Sequence, residues 1–184
     1  MGRAPRQFAP EATYHVFARG SNGQAIFVFD SDRIDFLDCL RQVIQRAELS
    51  CLAYCLMTNH YHLVLETRDG KLSRALQTLN GRYAQRFNRR YDREAHLFKN
   101  RFGAVRQMSE SQLLWTLRYT VMNPVAQGLC SAPSEWRWSS YRALAGLEPP
   151  PPFLDVRRAL SYFGDTPGEA MSRYRAFVDD LAGV

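Results

Sequence analysis

No run of this 184-residue chain approaches the ~18 consecutive apolar residues of a membrane span. Its first residues, Met1-Gly2-Arg3-Ala4-Pro5-Arg6, lack the apolar stretch that a signal peptide requires. Both absences lead us to expect a cytoplasmic protein with no membrane partner. Four cysteines (Cys39, Cys51, Cys55, Cys130) show no metal-type pairing. Cys51 and Cys55, four apart in what reads as a strand, share a face but stand too far apart to bridge. They read as reduced core residues, as the cytosol would keep them. A carboxylate cluster adequate for a metal hydrolase is missing, and so is the glycine-and-aromatic signature of RNA-binding domains. There is no internal repeat and no low-complexity tract.

What remains is a chain of 21.2 kDa with 46% hydrophobic residues, enough for one domain with a proper core plus an appendage. The formal charge is +6 and the pI about 9.4. Between residues 82 and 106 stand eight basic residues (Arg82, Arg86, Arg89, Arg90, Arg93, Lys99, Arg101, Arg106) and two acidic ones, Asp92 and Glu94. That local excess equals the net charge of the whole chain, so the basicity is one patch. A phosphate backbone is the usual partner of such a patch, and a solvated helix face is the plainer alternative.

Thr13 to Arg19 reads as a first strand, broken by Gly20-Ser21-Asn22-Gly23. From an N-cap at Asp30 or Ser31, Ile34, Leu37, Leu40, Val43, Ile44 and Ala47 repeat with helical spacing. Leu49 to Met57 and His60 to Thr67 form a hairpin about Thr58-Asn59. Leu72, Leu76, Leu79, Tyr83 and Phe87 trace one stripe of a second helix, and Arg82, Arg86, Arg89 and Arg93 trace another. A fourth strand spans about Arg101 to Met108. Ser109 and Gln112 have the spacing of a capping box that opens a third helix, its buried face Leu113, Leu114, Leu117 and Val121. Pro124 disfavours helical geometry at the residue before it, so this helix should end or kink near Asn123. Two short helices follow the connector Pro149–Pro152: Leu154 to Phe163, and a second capped by Thr166 with Pro167 at its first position.

The order predicts an α+β fold: a ferredoxin-like, RRM-like four-stranded antiparallel sheet with two helices on one face. The third helix then covers the other face, and a helical extension completes the chain. We divide it into a domain over 10–130 and an extension over 131–184 that carries Trp138-Ser139-Ser140-Tyr141. The connector also allows the tail to fold back into the active-site cleft.

Two of only four histidines flank one aromatic residue in Asn59-His60-Tyr61-His62-Leu63. Residues two apart on a strand share a face, so both imidazoles can meet one divalent cation. Tyr119 and Asn123, four apart, align on one side of the third helix. Mg2+ or Mn2+ held by two imidazoles and an amide oxygen keeps positions open for substrate oxygens. The tyrosine supplies a nucleophile whose covalent product conserves the bond energy for rejoining. His15 and His96 read as structural, and Glu66, ~13 Å along the strand from His60, is not counted as a ligand. Packing claims at least two of the three tryptophans. A non-catalytic single-strand binding module and a metal hydrolase are the competing readings.

These residues stand in a longer series: Tyr14-His15-Val16, Arg19-Gly20, Ile26-Phe27, Cys55 to Leu63, Leu79 to Tyr83, His96-Leu97-Phe98 with Arg101-Phe102, Arg118-Tyr119, Asn123-Pro124-Val125, Gly128-Leu129 and Trp138 to Tyr141. In this series the chain resembles the single-tyrosine HUH (IS200-like) transposases, and most closely their REP-associated tyrosine transposase branch. The resemblance implies that His60, His62 and Asn123 are metal ligands. It implies that Tyr119 takes the 5′ phosphate and frees a 3′ hydroxyl, and that the chain acts as a transposase. The implied substrate is single-stranded DNA at hairpins of repetitive extragenic palindromes (REP), cut beside a short guide sequence in the bacterial nucleoid, by a monomer or a homodimer. Gly23, Gly103 and Ala126 depart from the pattern where relatives often carry a basic residue.

Overall fold

The computed structural model describes residues 7–180; Met1–Arg6, on which the reading of no signal segment rests, lie outside them. Four strands form one sheet in the order β2-β3-β1-β4, with every pair antiparallel. They are β1 (Ala12–Arg19), β2 (Ser50–Leu56), β3 (His60–Thr67) and β4 (Gly103–Arg106). Between them run α1 (Asp30–Ala47) and α2 (Leu72–Arg90), followed after β4 by α3 (Glu110–Ala126). The expected α+β architecture is present.

Alternation along β3 sorts the two faces. Tyr61 meets Phe36 of α1 at 4.8 Å between ring centroids and donates its hydroxyl to Asn80 Oδ1 of α2 at 2.8 Å. That face is therefore the two-helix side. Phe27 and Tyr83 pack on Phe36 and on each other in tilted and edge-on pairs, each worth about 0.5–1.5 kcal/mol beyond area burial. His60, His62 and Glu66 face the other way. In register β1 sets Arg19 opposite His60, Phe17 opposite His62 and His15 opposite Val64, so these β1 residues share the histidine face. That face belongs to α3, whose Tyr119 ring lies 5.5 Å from that of His62.

Four local expectations need correction. Ile34, assigned to the buried stripe of α1, is 58% exposed; the buried face runs through Phe36, Cys39, Leu40, Val43 and Ile44. The α1 N-cap is Phe29 rather than Asp30 or Ser31, because the Asp32 carboxylate turns back to accept from the backbone N–H groups of Val28 and Phe29 at 2.8 and 3.0 Å. α3 does not stop at Asn123. Pro124 forfeits one backbone donor inside the final turn, and the helix continues to Ala126. Gln127 N–H to Asn123 O at 3.0 Å and Leu129 N–H to Pro124 O at 2.9 Å then close it, with Gly128 in the left-handed region at φ +67°. At the other end Ser109 Oγ accepts from Gln112 N, but the Gln112 amide accepts from Met108 N rather than from the cap residue.

Beyond Cys130 come α4 (Tyr141–Leu144), α5 (Val156–Leu160) and α6 (Pro167–Asp179). This segment covers the outer edge of β2: Leu56 N–H donates to Trp138 O, Ser140 N–H to Tyr54 O and Asp155 N–H to Cys51 O, all at 2.8–2.9 Å. An edge left bare would offer unpaired backbone groups to other chains. Trp136 and Trp138 pack inward, while Trp115 of α3 is half exposed. Arg118 of α3, buried, donates from Nε to Val178 O at 3.1 Å and from its guanidinium to Asp180 O. It thus ties α3 to the end of α6 and satisfies carbonyls that helix termini leave open.

Candidate functional site

The pocket on the histidine face is lined by His15, Phe17, Arg19, Asn59, His60, His62, Tyr119, Asn123 and Gln127. The four residues expected to carry the chemistry, His60, His62, Tyr119 and Asn123, are all present. β3 delivers the two histidines two residues apart, and one turn of α3 delivers the tyrosine and the asparagine. His60 and His62 lie edge-on at 5.0 Å. Tyr119 is half exposed and therefore open to a large substrate. No residue after Gln127 lines this pocket, so the described part of the C-terminal tail does not fill the cleft.

The hydrogen bonds decide which imidazole nitrogens face inward. Asn59 Nδ2 donates to Gly23 O at 3.1 Å, which fixes the amide and leaves its Oδ1 as an acceptor. His60 Nδ1 lies 2.7 Å from that Oδ1 and must carry the proton there. Its Nε2 is then a free lone pair. His62 Nδ1 lies 2.9 Å from His15 Nε2, and His62 Nε2 is buried with no partner among the described residues. Asn123, which lines the same pocket, donates its amide N–H to Tyr119 O at 2.8 Å, so its Oδ1 remains an acceptor. A buried orphan nitrogen, a second free imidazole nitrogen and an amide oxygen make a donor set that fits a divalent cation. Among the described residues no three His, Cys, Asp or Glu side chains are arranged to hold a metal ion, so the amide oxygen is needed to reach three protein ligands.

Burial keeps the imidazoles in the neutral form that a metal needs. It lowers His15 to about 4 and His62 to about 3, the latter aided by the neighbouring His15 and His60. His60 is lowered by burial first and then by the Arg19 guanidinium. Glu66 shares the histidine face, as expected, but is held away from the pocket by Arg158 of α5 at 2.8 Å.

The basic patch divides. On the two-helix side, Arg82 donates to Gln42 at 3.3 Å, Arg86 pairs with Asp38 at 3.3 Å, and Arg90 pairs with Asp32 and Asp35. Arg93 donates to Gln24 at 2.5 Å, Arg89 is exposed near the end of α2, and Arg106 shares the face of Tyr14. Beside the histidine pocket, a second recess is lined by Phe17, Arg19, Lys99, Asn100, Arg101 and Gly103. Phe17 and Arg19 border both recesses. Of the eight basic residues singled out above, Lys99 and Arg101 are the two that line this recess.

Sequence reading missed His15, Phe17, Arg19 and Gln127 as pocket residues. The usable signal was strand alternation, since His15, Phe17 and Arg19 stand two apart. Phe17 owes its place to Gly103, its register partner, where any Cβ would overlap the phenyl ring.

Comparison with known proteins bears on what such a site belongs to. None of the curated proteins compared matches the chain. A solved structure of a REP-associated tyrosine transposase bound to a REP hairpin is 17% identical, with a TM-score of 0.66 over 81% of this chain and 89% of its own; the likeness is one of fold. Two others fit too loosely to bear on fold or function. They are a candidate transposase from Deinococcus radiodurans R1 (18% identity, TM-score 0.46, 64% of this chain and 95% of that one) and the tRNA(His) guanylyltransferase of Saccharomyces cerevisiae (11%, 0.48, 99% and 84%). Among the described residues no helix is long and apolar enough to cross a membrane. The model of the IS200-like transposase family matches residues 9–123, well over half of the sequence. This chain belongs to the IS200-like transposase family.

Proposed function

We propose that the protein nicks and rejoins single-stranded DNA beside hairpins of the REP type, through a covalent 5′-phosphotyrosine at Tyr119. The observation that carries this reading is the meeting of Tyr119 and Asn123 from one helix turn with His60 and His62 from one strand, in a pocket where His62 Nε2 is buried and unpartnered. His60, His62 and Asn123 would hold Mg2+ or Mn2+, which when bound supplies positive charge against the scissile phosphate.

The residues themselves position and attack. Tyr119 Oη, its proton lost, approaches phosphorus in line with the 3′ oxygen; the P–O3′ bond breaks, and the departing oxygen takes up a proton. The new P–O bond to tyrosine stores the energy of the old one, and a later 3′ hydroxyl reverses the exchange. Half exposure of the ring suits a polymeric substrate laid across the pocket. Arg19, Lys99 and Arg101 extend a cationic path from it, where phosphates of the flanking strand are drawn by charge.

An oligonucleotide carrying a hairpin with single-stranded flanks, incubated with protein and Mg2+ or Mn2+, tests this. The expected result is a nick in the flank that needs the cation and disappears in Tyr119→Phe while hairpin binding persists. Binding with no nick under any condition would establish the non-catalytic module instead. A nick that survives Tyr119→Phe would indicate hydrolysis.

A further inference from the structure

Two imidazole nitrogens 2.9 Å apart share one proton, and which ring holds it decides what the neighbouring pocket can bind. The pair is His15 Nε2 of β1 and His62 Nδ1 of β3, their rings stacked with centroids 5.1 Å apart. The register that sets His15 opposite Val64, two pairs along from Phe17 opposite His62, makes this a diagonal cross-strand contact on one face. The same His15 ring meets Tyr119 edge-on at 5.8 Å.

Two assignments are open to a neutral pair. If His15 donates, His62 carries its own proton on Nε2, an N–H buried with no acceptor among the described residues. Orphaned buried N–H donors are rarer than buried acceptors left without a partner. If His62 donates, its Nε2 presents a lone pair to the pocket, and the proton of His15 sits on Nδ1, which is not among the buried unpartnered atoms. The neighbouring histidine is an internal control: Asn59 Oδ1 can only accept, so His60 is already fixed with its proton on Nδ1 and its Nε2 bare. Equivalent treatment of both rings aims two lone pairs inward.

We infer that His15 is a positioning residue that holds His62 in the Nδ1–H tautomer, doing for His62 what Asn59 does for His60. The inference deepens the proposed nicking activity and rests on the reading of His62 as a ligand. Hydrogen-bond partners of this kind orient a ligand and raise its basicity. His15 contributes no ligand atom of its own, since its Nε2 is spent on His62.

The test reads the tautomer directly, in full-length, metal-free, 15N-labelled protein, by long-range proton–nitrogen NMR correlation of the histidine rings. The wild type should show His62 protonated at Nδ1 and bare at Nε2. His15→Phe, which keeps a ring in place but accepts nothing, should move the proton towards Nε2 and weaken Mn2+ binding about 10–100-fold. His15→Gln places a carbonyl oxygen at nearly the reach of the lost Nε2, and should restore both the tautomer and the affinity. A wild-type His62 protonated at Nε2 overturns the inference without any variant. So does a His15→Phe protein whose tautomer and Mn2+ affinity match the wild type. Wild-type protein that binds no Mn2+ would instead sink the ligand reading, leaving the NMR result to judge His15.

Discussion

At the scale of single residues, the proposed activity divides labour between groups that hold and a group that attacks. Replacing His60 or Asn123 by alanine removes an inward-facing donor and spares Tyr119. We expect nicking to fall about 10²–10³-fold, the usual cost of losing one positioned electrostatic partner, with hairpin affinity little changed in a gel-shift titration. The buried histidines also set a pH dependence of stability. An imidazole whose folded pKa lies below its unfolded value lets the unfolded chain bind more protons as pH falls, so stability declines with falling pH. For His15 and His62 the decline begins near the ordinary histidine value of ~6.5 and runs to about 4 and about 3. Urea titrations between pH 7 and 4.5 should show that slope, and His15→Phe should flatten it. Asp32 adds a loss at lower pH. Its burial opposes ionisation, but bonds from Phe29 N, Tyr91, Val28 N and Arg90 outweigh this and lower its pKa, so its contribution vanishes as pH falls through the folded value. His60, His62, Tyr119 and Asn123 were legible because their spacings, two on a strand and four on a helix, are local. His15 was not, because its partner is chosen by the β1–β3 register, which no local spacing encodes.

At the scale of elements, the strands and helices followed from alternation and 3.6-residue periodicity, and the misreadings lie where side chains compete with the backbone. The Asp32 carboxylate moved the start of α1 to Phe29, and a buried Pro124 proved tolerable in the last turn of α3. The arginine stripe of α2 was readable as a stripe, but its partner was not. Asp32, Asp35 and Asp38, three apart on α1, meet Arg86 and Arg90 across the helix pair and turn part of the comb into a helix–helix seam. A matching acidic stripe on the preceding helix was the signal available. α3 carries Tyr119, the proposed nucleophile, and is tied down by Arg118, next in sequence but aimed at α6. Arg118→Ala should destabilise the protein by about 1.5–3 kcal/mol in urea unfolding, the worth of charged hydrogen bonds to carbonyls, and should lower nicking through misplacement of Tyr119. If stability is unchanged, α6 is not the anchor of α3.

For the whole molecule, the sheet separates two basic territories. On the helix side Arg86 and Arg90 pair with carboxylates of α1, whereas Arg19, Lys99 and Arg101 line the recess beside the pocket. Arg19→Ala and Lys99→Ala should each reduce the slope of log affinity against log salt for a single-stranded flank by about 0.7. Arg86→Ala should leave the slope alone and cost about 0.2–1 kcal/mol of stability. Equal slopes for all three variants would return the DNA path to the α2 comb. The C-terminal segment, legible in sequence only as an aromatic cluster and short helices, covers the β2 edge through contacts whose partners lie 80 or more residues away. The central claim is chemical: the Tyr119 oxygen becomes bonded to DNA. The most direct measurement is mass spectrometry of peptides from a hairpin-DNA reaction quenched with Mg2+ or Mn2+ present. We predict a nucleotide adduct on the peptide that contains Tyr119. Nicked DNA with no adduct, or an adduct on another residue, would contradict it.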